Sequence, residues 1–282
     1  MTEKWNIVVG IDGSDKDQQS TLWAGQTAAR SGGRVHVVYA AKIAAHGARL
    51  PEDDIAEVGR AVTEPAAERI RSRFEGVDVT TEVVMDDPAV ALVSASRDAD
   101  LVVVGARGLG RVSAQFLGSV SQKVAAQAAC PVVVAHEEPK NPDGDVTVGV
   151  DPGDPIPEVI DLAFRLAKQR GVGVRMIYAF TPPPSELGYL RIRNLLADAH
   201  KERAQELRKF AEAWQERHPD VPTTINEAHG HPAEVLMDAI PEAGIIVLGS
   251  RGRMGLSGRH LGSVAQRVLH HAPLAVVVPI HA

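Results

Sequence analysis

Short runs of β-branched residues alternate along the chain with longer amphipathic segments, the pattern of β-α-β units built around a parallel sheet. In the N-terminal half the runs fall at Ile7 to Ile11, Val35 to Ala40, Val77 to Val84, Leu101 to Gly105 and Val132 to Ala135, and the segments between them predict helices. Leu101 to Val104 and Val132 to Val134 are apolar at every position, which predicts strands covered by helices on both faces. Trp23 and Ala24, like Leu162 and Ala163 in the C-terminal half, read as core packing on the first helix of each half.

The pattern is written twice. Val9-Gly-Ile-Asp12 recurs as Val148-Gly-Val-Asp151, and Tyr39-Ala40 as Tyr178-Ala179, at an offset of 139. From Pro88 onward, which recurs as Pro232, the offset is 144, so the second copy carries a net insertion of five residues before that point. Leu101 to His136 matches Ile245 to Ile280 at 15 of 36 positions without a gap, which identifies a duplication. The second copy's extra residues are expected in the segment Arg191 to Glu216, which reads as a long solvated amphipathic helix. Glu137 to Asp145 is polar, with two prolines and a glycine, and reads as a linker crossing between domains at 1–138 and 145–282. The closing strands, Val132-Val-Val134 and Val276-Val-Val278, would leave apolar edges in water, which predicts that they bury each other.

Composition narrows the class. A chain of 282 residues, 44% hydrophobic and 23% charged, has room for two packed domains and excludes general disorder. The net charge of -6 gives no attraction to phosphate backbones or anionic lipid, so neither nucleic acid nor a membrane surface is the expected partner. No signal sequence opens the chain, and no apolar run approaches the ~18 residues that span a bilayer. Cys130 is the only cysteine, which excludes an intramolecular disulfide and suits the cytoplasm. Between an alanine-rich helix and a valine strand, it reads as a buried small hydrophobe.

In open parallel sheets ligands sit outside the carboxyl ends of the strands. There the first copy reads Gly105-Ala-Arg107-Gly108, then nine residues, then Gly118-Ser119-Val120. The second reads Gly249-Ser-Arg251-Gly252, then nine residues, then Gly262-Ser263-Val264. Glycine lets backbone N-H groups approach a phosphate with no Cβ between them. Gly118 and Gly262 open helices whose first N-H groups and positive dipole end favour an anion. Ser119 and Ser263 offer a hydroxyl each, and Arg107, Arg111, Arg251, Arg253 and Arg259 supply positive charge.

These residues resemble the nucleotide-binding signature of the universal stress protein family, over nearly the whole chain and twice. The resemblance implies a doubly wound, five-stranded parallel sheet in each of two tandem α/β domains. It implies ATP as ligand, with Mg2+, adenine lying near Asp12 and Ala40 with Gly10 behind them, and near Gly149, Asp151 and Ala179 in the second copy. Phosphates would lie on the loops from Gly105 to Val120 and from Gly249 to Val264. It further implies a stress-response regulator acting through a partner the sequence does not identify. Two domains of this family pair through the last strand, and a homodimer of chains is expected as well.

The copies depart from one another. Asp12-Gly-Ser14 becomes Asp151-Pro-Gly153, and proline removes a donor. Gly230-His-Pro232 stands where the first copy has Asp86-Asp87-Pro88, whose carboxylates would repel a triphosphate unless a cation intervenes. His229 and His231 share a face of an extended segment without a visible third metal ligand, and His270-His271 is expected at a surface or interface. No Walker loop or nucleophilic triad is present. The alternatives are a slow ATPase or adenylyl-transferring enzyme using Asp12 or Asp86 to place Mg2+, and an interaction module without nucleotide. Gly105-Ala-Arg-Gly-Leu-Gly110 has the wrong glycine order, and follows the wrong strand, for a dinucleotide site.

Overall fold

The computed structural model describes residues 4–41, 52–106, 117–180, 190–250 and 260–280. The first half runs β1 (Asn6–Ile11), α1 (Asp17–Ser31), β2 (Arg34–Ala40), α2 (Glu52–Arg73), β3 (Asp78–Val84), α3 (Pro88–Ala95), β4 (Leu101–Gly105), α4 (Ser119–Gln127) and β5 (Val132–Ala135). The second half repeats it as β6 (Val146–Gly149), α5 (Pro157–Arg170), β7 (Val174–Phe180), α6 (Leu190–Arg217), β8 (Thr223–His229), α7 (Pro232–Ala239), β9 (Ile245–Gly249), α8 (Ser263–His271) and β10 (Leu274–Val278). The α/β, doubly wound, tandem architecture read from the sequence is the one observed. The helix expected at 191–216 is α6, which spans Leu190–Arg217.

The ten strands among the described residues form one sheet in the order β3-β2-β1-β4-β5-β10-β9-β6-β7-β8. Within each half every neighbouring pair is parallel. The chain leaves β1 toward β2 and β3, then returns to β4 on the opposite side, so connections diverge between β1 and β4, and again between β6 and β9. The halves join where β5 and β10 pair antiparallel, Val133 opposite Val276 and Val132 opposite Val277. The closing strands therefore bury each other, as their apolar edges require.

Because side chains alternate across a strand, each face of the sheet has its own core. Trp5, Ile7, Val9, Val133, Val148 and Val276 point to the side covered by α1, α2, α5 and α6, whereas Val8, Val102, Val132, Val134 and Val277 point to the side of α3, α4, α7 and α8. Both cores run through the seam without a break. On the first side Arg165 of α5 lies over the ring of the buried Trp5, 4.9 Å from its centroid, so the halves also grip through a cation-π contact.

The copies exchange bulk at matched positions. Gly25 of α1 lets Phe74 pack so closely that a Cβ there would lie 2.6 Å from its ring. At the equivalent place α5 carries the fully buried Phe164, which stacks on Trp214 at 5.6 Å and on His218 at 4.8 Å. Desolvation in that stack lowers the His218 pKa from its ordinary value. Cys130 is buried, and desolvation pushes its thiol pKa up to about 12, so it is an inert core group.

The segment 137–145 does more than cross between the halves. The N-H groups of His136 and Glu137 donate to the Pro273 carbonyl at 2.8 and 3.3 Å. Asn141 Nδ2 donates to Glu242 O at 3.1 Å, Arg170 Nη2 to Pro142 O, and Gly173 N to Asp145 Oδ1 at 2.9 Å. The segment is thus held to the second half by both backbone and side-chain hydrogen bonds, up to the start of β6.

A chain cut to residues 1–140 has no β10 and exposes the β5 edge. It is expected to self-associate or aggregate at micromolar concentration by light scattering, whereas a stable monomeric fragment would show that the seam is dispensable.

Candidate functional site

The carboxyl end of β1 runs into a turn built from carboxylates. Asp12 Oδ1 accepts the Ser14 N-H at 3.0 Å, closing a tight Asx turn. Gly13 sits at φ +85, a conformation that favours glycine. Asp17, the first residue of α1, turns back so that Oδ2 accepts the N-H groups of Asp12 at 3.0 Å and Gly13 at 2.7 Å. Asp17 is buried, and desolvation, with Asp12 adding repulsion, raises its pKa from 3.8 to about 6 despite those hydrogen bonds.

The second half keeps the Asx turn and drops the rest. Asp151 Oδ1 accepts the Gly153 N-H at 3.0 Å, matching the first turn. Pro152 stands where Gly13 does and has no N-H to give, and Ile156 stands where Asp17 does and has no oxygen to receive one. The two replacements cancel, so the donor lost to proline is one that only Asp17 had used. In its place Arg203 of α6 approaches Asp151 Oδ1 at 3.6 Å. The same guanidinium hydrogen-bonds the Tyr178 hydroxyl, whose pKa rises because desolvation outweighs the arginine. A cavity of about 580 Å3 opens beside this pair, floored by Pro152, Pro155, Leu207 and Phe210 and edged by Glu202 and Glu206.

The loops leaving β4 and β9 return to their starting points. Gly118 N donates to Ala106 O at 2.7 Å, and Gly262 N to Ser250 O at 2.8 Å, so each excursion closes just beyond its strand. Gly118 and Gly262 are the N-caps of α4 and α8, both in extended conformation, and no side chain caps either helix. The first helical N-H groups therefore lack intrahelical partners at the carboxyl edge of the sheet. Ser119 and Ser263 are exposed there, with Val120 and Val264 half-buried. Beneath them the halves swap roles: Ser121 Oγ donates to Gly105 O at 2.6 Å, whereas in the second half Ser250 Oγ accepts the Ile280 N-H at 3.0 Å.

Of the sequence-derived residues, Gly10, Asp12, Ala40, Gly105, Gly118, Ser119 and Val120 all gather at the carboxyl ends of β1, β2 and β4. Gly149, Asp151, Ala179, Gly249, Gly262, Ser263 and Val264 do the same on β6, β7 and β9. Gly10 has a packing role, since a Cβ there would lie 2.6 Å from the Leu92 side chain of α3. Arg107, Gly108, Arg111, Arg251, Gly252, Arg253 and Arg259 lie outside the described residues. Asp86 and Asp87 are engaged locally, Asp86 Oδ1 accepting the Asp87 N-H at 2.6 Å and Asp87 Oδ1 capping α3 at the Ala89 N-H, 3.1 Å. His231 caps α7 in the same way and His229 packs on Phe180 at 4.1 Å. Among the described residues no group of three His, Cys, Asp or Glu side chains is placed to hold a metal.

Asp17 and Arg203 were not singled out by the sequence. Asp17 lies in the polar run Asp12-Gly-Ser-Asp-Lys-Asp17, where nothing marks which carboxylate is buried. Arg203 falls between Ala179 and Pro232, where the repeat offset shifts from 139 to 144, so its register against β6 could not be counted from the repeat.

Known proteins resemble this chain in sequence and in fold. The family described as the Universal stress protein family matches residues 5–136 and again 144–279. A universal stress protein of Mycobacterium tuberculosis (strain H37Rv) is 32% identical over 96% of this chain and 96% of its own. The crystal structure of a universal stress protein from Archaeoglobus fulgidus superposes with a TM-score of 0.70 at 18% identity, covering 99% of this chain and 97% of that one. A universal stress protein solved in complex with cAMP is 28% identical, covers 48% of this chain and 99% of its own, and superposes with a TM-score of 0.40.

The raised pKa of Asp17 fixes a stability profile. Its charged form is disfavoured by folding, so the cost is absent below pH 3.8 and grows as pH rises through about 6. Asp17→Asn keeps an acceptor and removes the charge. Its Tm is expected to exceed wild type at pH 7.5, by a free energy of up to about 3 kcal/mol, with the gap closing toward pH 4. Asp17→Ala strands two N-H groups and is expected to lower Tm at every pH. Thermal melts between pH 4 and 8 check both.

Proposed function

The chain belongs to the universal stress protein family, and from that premise we propose that it is a nucleotide-binding regulator of the stress response with one ATP site in each half. The observation that carries the proposal is the repetition of one arrangement. In both halves a glycine-capped helix begins just beyond the end of β4 or β9, beside an aspartate-closed turn at the end of the neighbouring central strand, β1 or β6. A helix start with unpaired N-H groups suits phosphates, and the aspartate turn would suit the ribose or base. Gly105, Gly108, Gly118, Ser119 and Arg107, with Gly249, Gly252, Gly262, Ser263 and Arg251, are the phosphate residues in this reading. Mg2+ arrives with the triphosphate, held by its oxygens.

Regulation fits the site better than turnover. Asp12 and Asp86, the carboxylates an ATPase would enlist, each accept a neighbouring backbone N-H and shape a turn. Occupancy would then bias the choice of a protein partner, with chains paired as homodimers in the cytoplasm. The buried thiol of Cys130 accords with a reducing compartment. Among the described residues no helix is long and apolar enough to cross a membrane.

Titration calorimetry with ATP and Mg2+ is expected to show about two sites per chain. Gly118→Glu sets a carboxylate where a phosphate would lie and is expected to weaken the first site more than tenfold, and Gly262→Glu the second. A double variant that keeps its circular dichroism spectrum and still binds ATP normally would remove these loops from the site.

A further inference from the structure

Among the described residues the seam between the halves reaches one of the two candidate phosphate loops and not the other. Leu117, the residue before the glycine cap of α4, donates its backbone N-H to Nδ1 of His270 at 3.1 Å. His270 lies in the last turn of α8 and so belongs to the opposite half. The next N-H along, that of Gly118, donates to Ala106 O at 2.7 Å. Two consecutive N-H groups thus fix the point where the returning loop becomes a helix, one held by its own strand end and one by the other half. His136, just after β5, ties α8 down with a 2.7 Å contact from Nε2 to the Leu269 carbonyl, one residue before His270.

The arrangement is one-sided. At the offset of 144 the counterpart of His270 on α4 is Ala126, and the counterpart of His136 is Ile280. Neither side chain can accept or donate, so the matching contact at Leu261 cannot be made through these positions. Moreover, α8 is capped by Gly262, the candidate phosphate position of the second half, and its last turn, nine residues on, lies beside Leu117. A helix of that length, about 13 Å, shifts as one rigid piece.

We propose that His270 is a positioning residue of the first half's nucleotide site, and that α8 couples the two sites by carrying the state of the second phosphate loop to Leu117. The inference rests on the nucleotide-binding reading above. An anion drawn onto the N-terminus of α8 moves the imidazole that orients the Leu117 amide, and by linkage the first site biases the second to the same degree.

The test uses the full chain. In a Gly262→Glu background, which leaves the first site to be titrated alone, His270→Ala is expected to weaken ATP binding about three- to tenfold. His270→Asn, whose Oδ1 can accept the same N-H, is expected to bind within about twofold of the background. Hydrogen exchange of the Leu117 amide without nucleotide should be faster in the alanine variant and restored in the asparagine variant. With His270 intact, Gly262→Glu itself should alter first-site affinity, and with alanine at that position it should not. Second-site affinity, measured in Gly118→Glu, should be indifferent to His270→Ala. An unchanged first site in His270→Ala, or equal losses at both sites, would overturn this inference alone. Absence of nucleotide binding in the wild-type chain would overturn the functional reading and this inference together.

Discussion

A β-strand whose edge is apolar and unpaired must find another strand, and in this molecule that requirement organises everything else. β5 and β10 close their halves with side chains buried at every position, and each satisfies its free edge on the other. The pairing turns two open sheets into one, joins both cores across the seam and brings the ends of α4 and α8 together. It also explains why the two candidate sites lie at opposite rims of a ten-stranded sheet and why a side chain at the far end of α8 can reach the loop of the other half.

Divergence between the halves proceeds by matched replacements. Gly13 and Asp17 form a donor-acceptor couple, and their counterparts Pro152 and Ile156 have lost both members. Gly25 with Phe74 becomes Phe164 with His218, the ring crossing from one side of the contact to the other. Ala106 with Ser121 becomes Ser250 with Ala265, so one hydroxyl stays under each loop with a different partner. Losing one member alone would strand a buried polar group or open a void, each of which typically costs 1–3 kcal/mol or more, so such pairs change together or stay. The outcome is two turns of like geometry and unlike charge: carboxylate beside carboxylate in the first half, carboxylate beside arginine in the second.

The sequence made the fold legible because its strongest signals are local. Leu101 to Gly105 and Val132 to Ala135 are apolar throughout and flanked by turn residues, and the strands read from them coincide with those observed. The repeat then supplied the topology, and the apolar closing strands supplied their pairing. The site was legible where backbone chemistry dictates a residue type, as with the glycine caps at 118 and 262. It was not legible where the decisive fact is distance across the fold. Asp17 matters because it is buried beside Asp12, Arg203 because α6 delivers it to Asp151, and His270 because an antiparallel seam places it against Leu117. None of these follows from spacing along the chain. The linker at 137–145, polar and proline-containing, read as a plain connection because composition does not reveal that the Pro273, Glu242 and Gly173 backbones hold it.

That linker makes the pairing of the halves an intramolecular event. A tether of this length confers an effective concentration on the order of millimolar, so the seam survives at dilutions where two separate chains would part. It also frees the halves from symmetry. In a homodimer of identical subunits every substitution appears twice, and a histidine that suits one loop is imposed on the other. In a tandem chain it is made once, which is how Ala126 and His270 can occupy equivalent places in a single molecule.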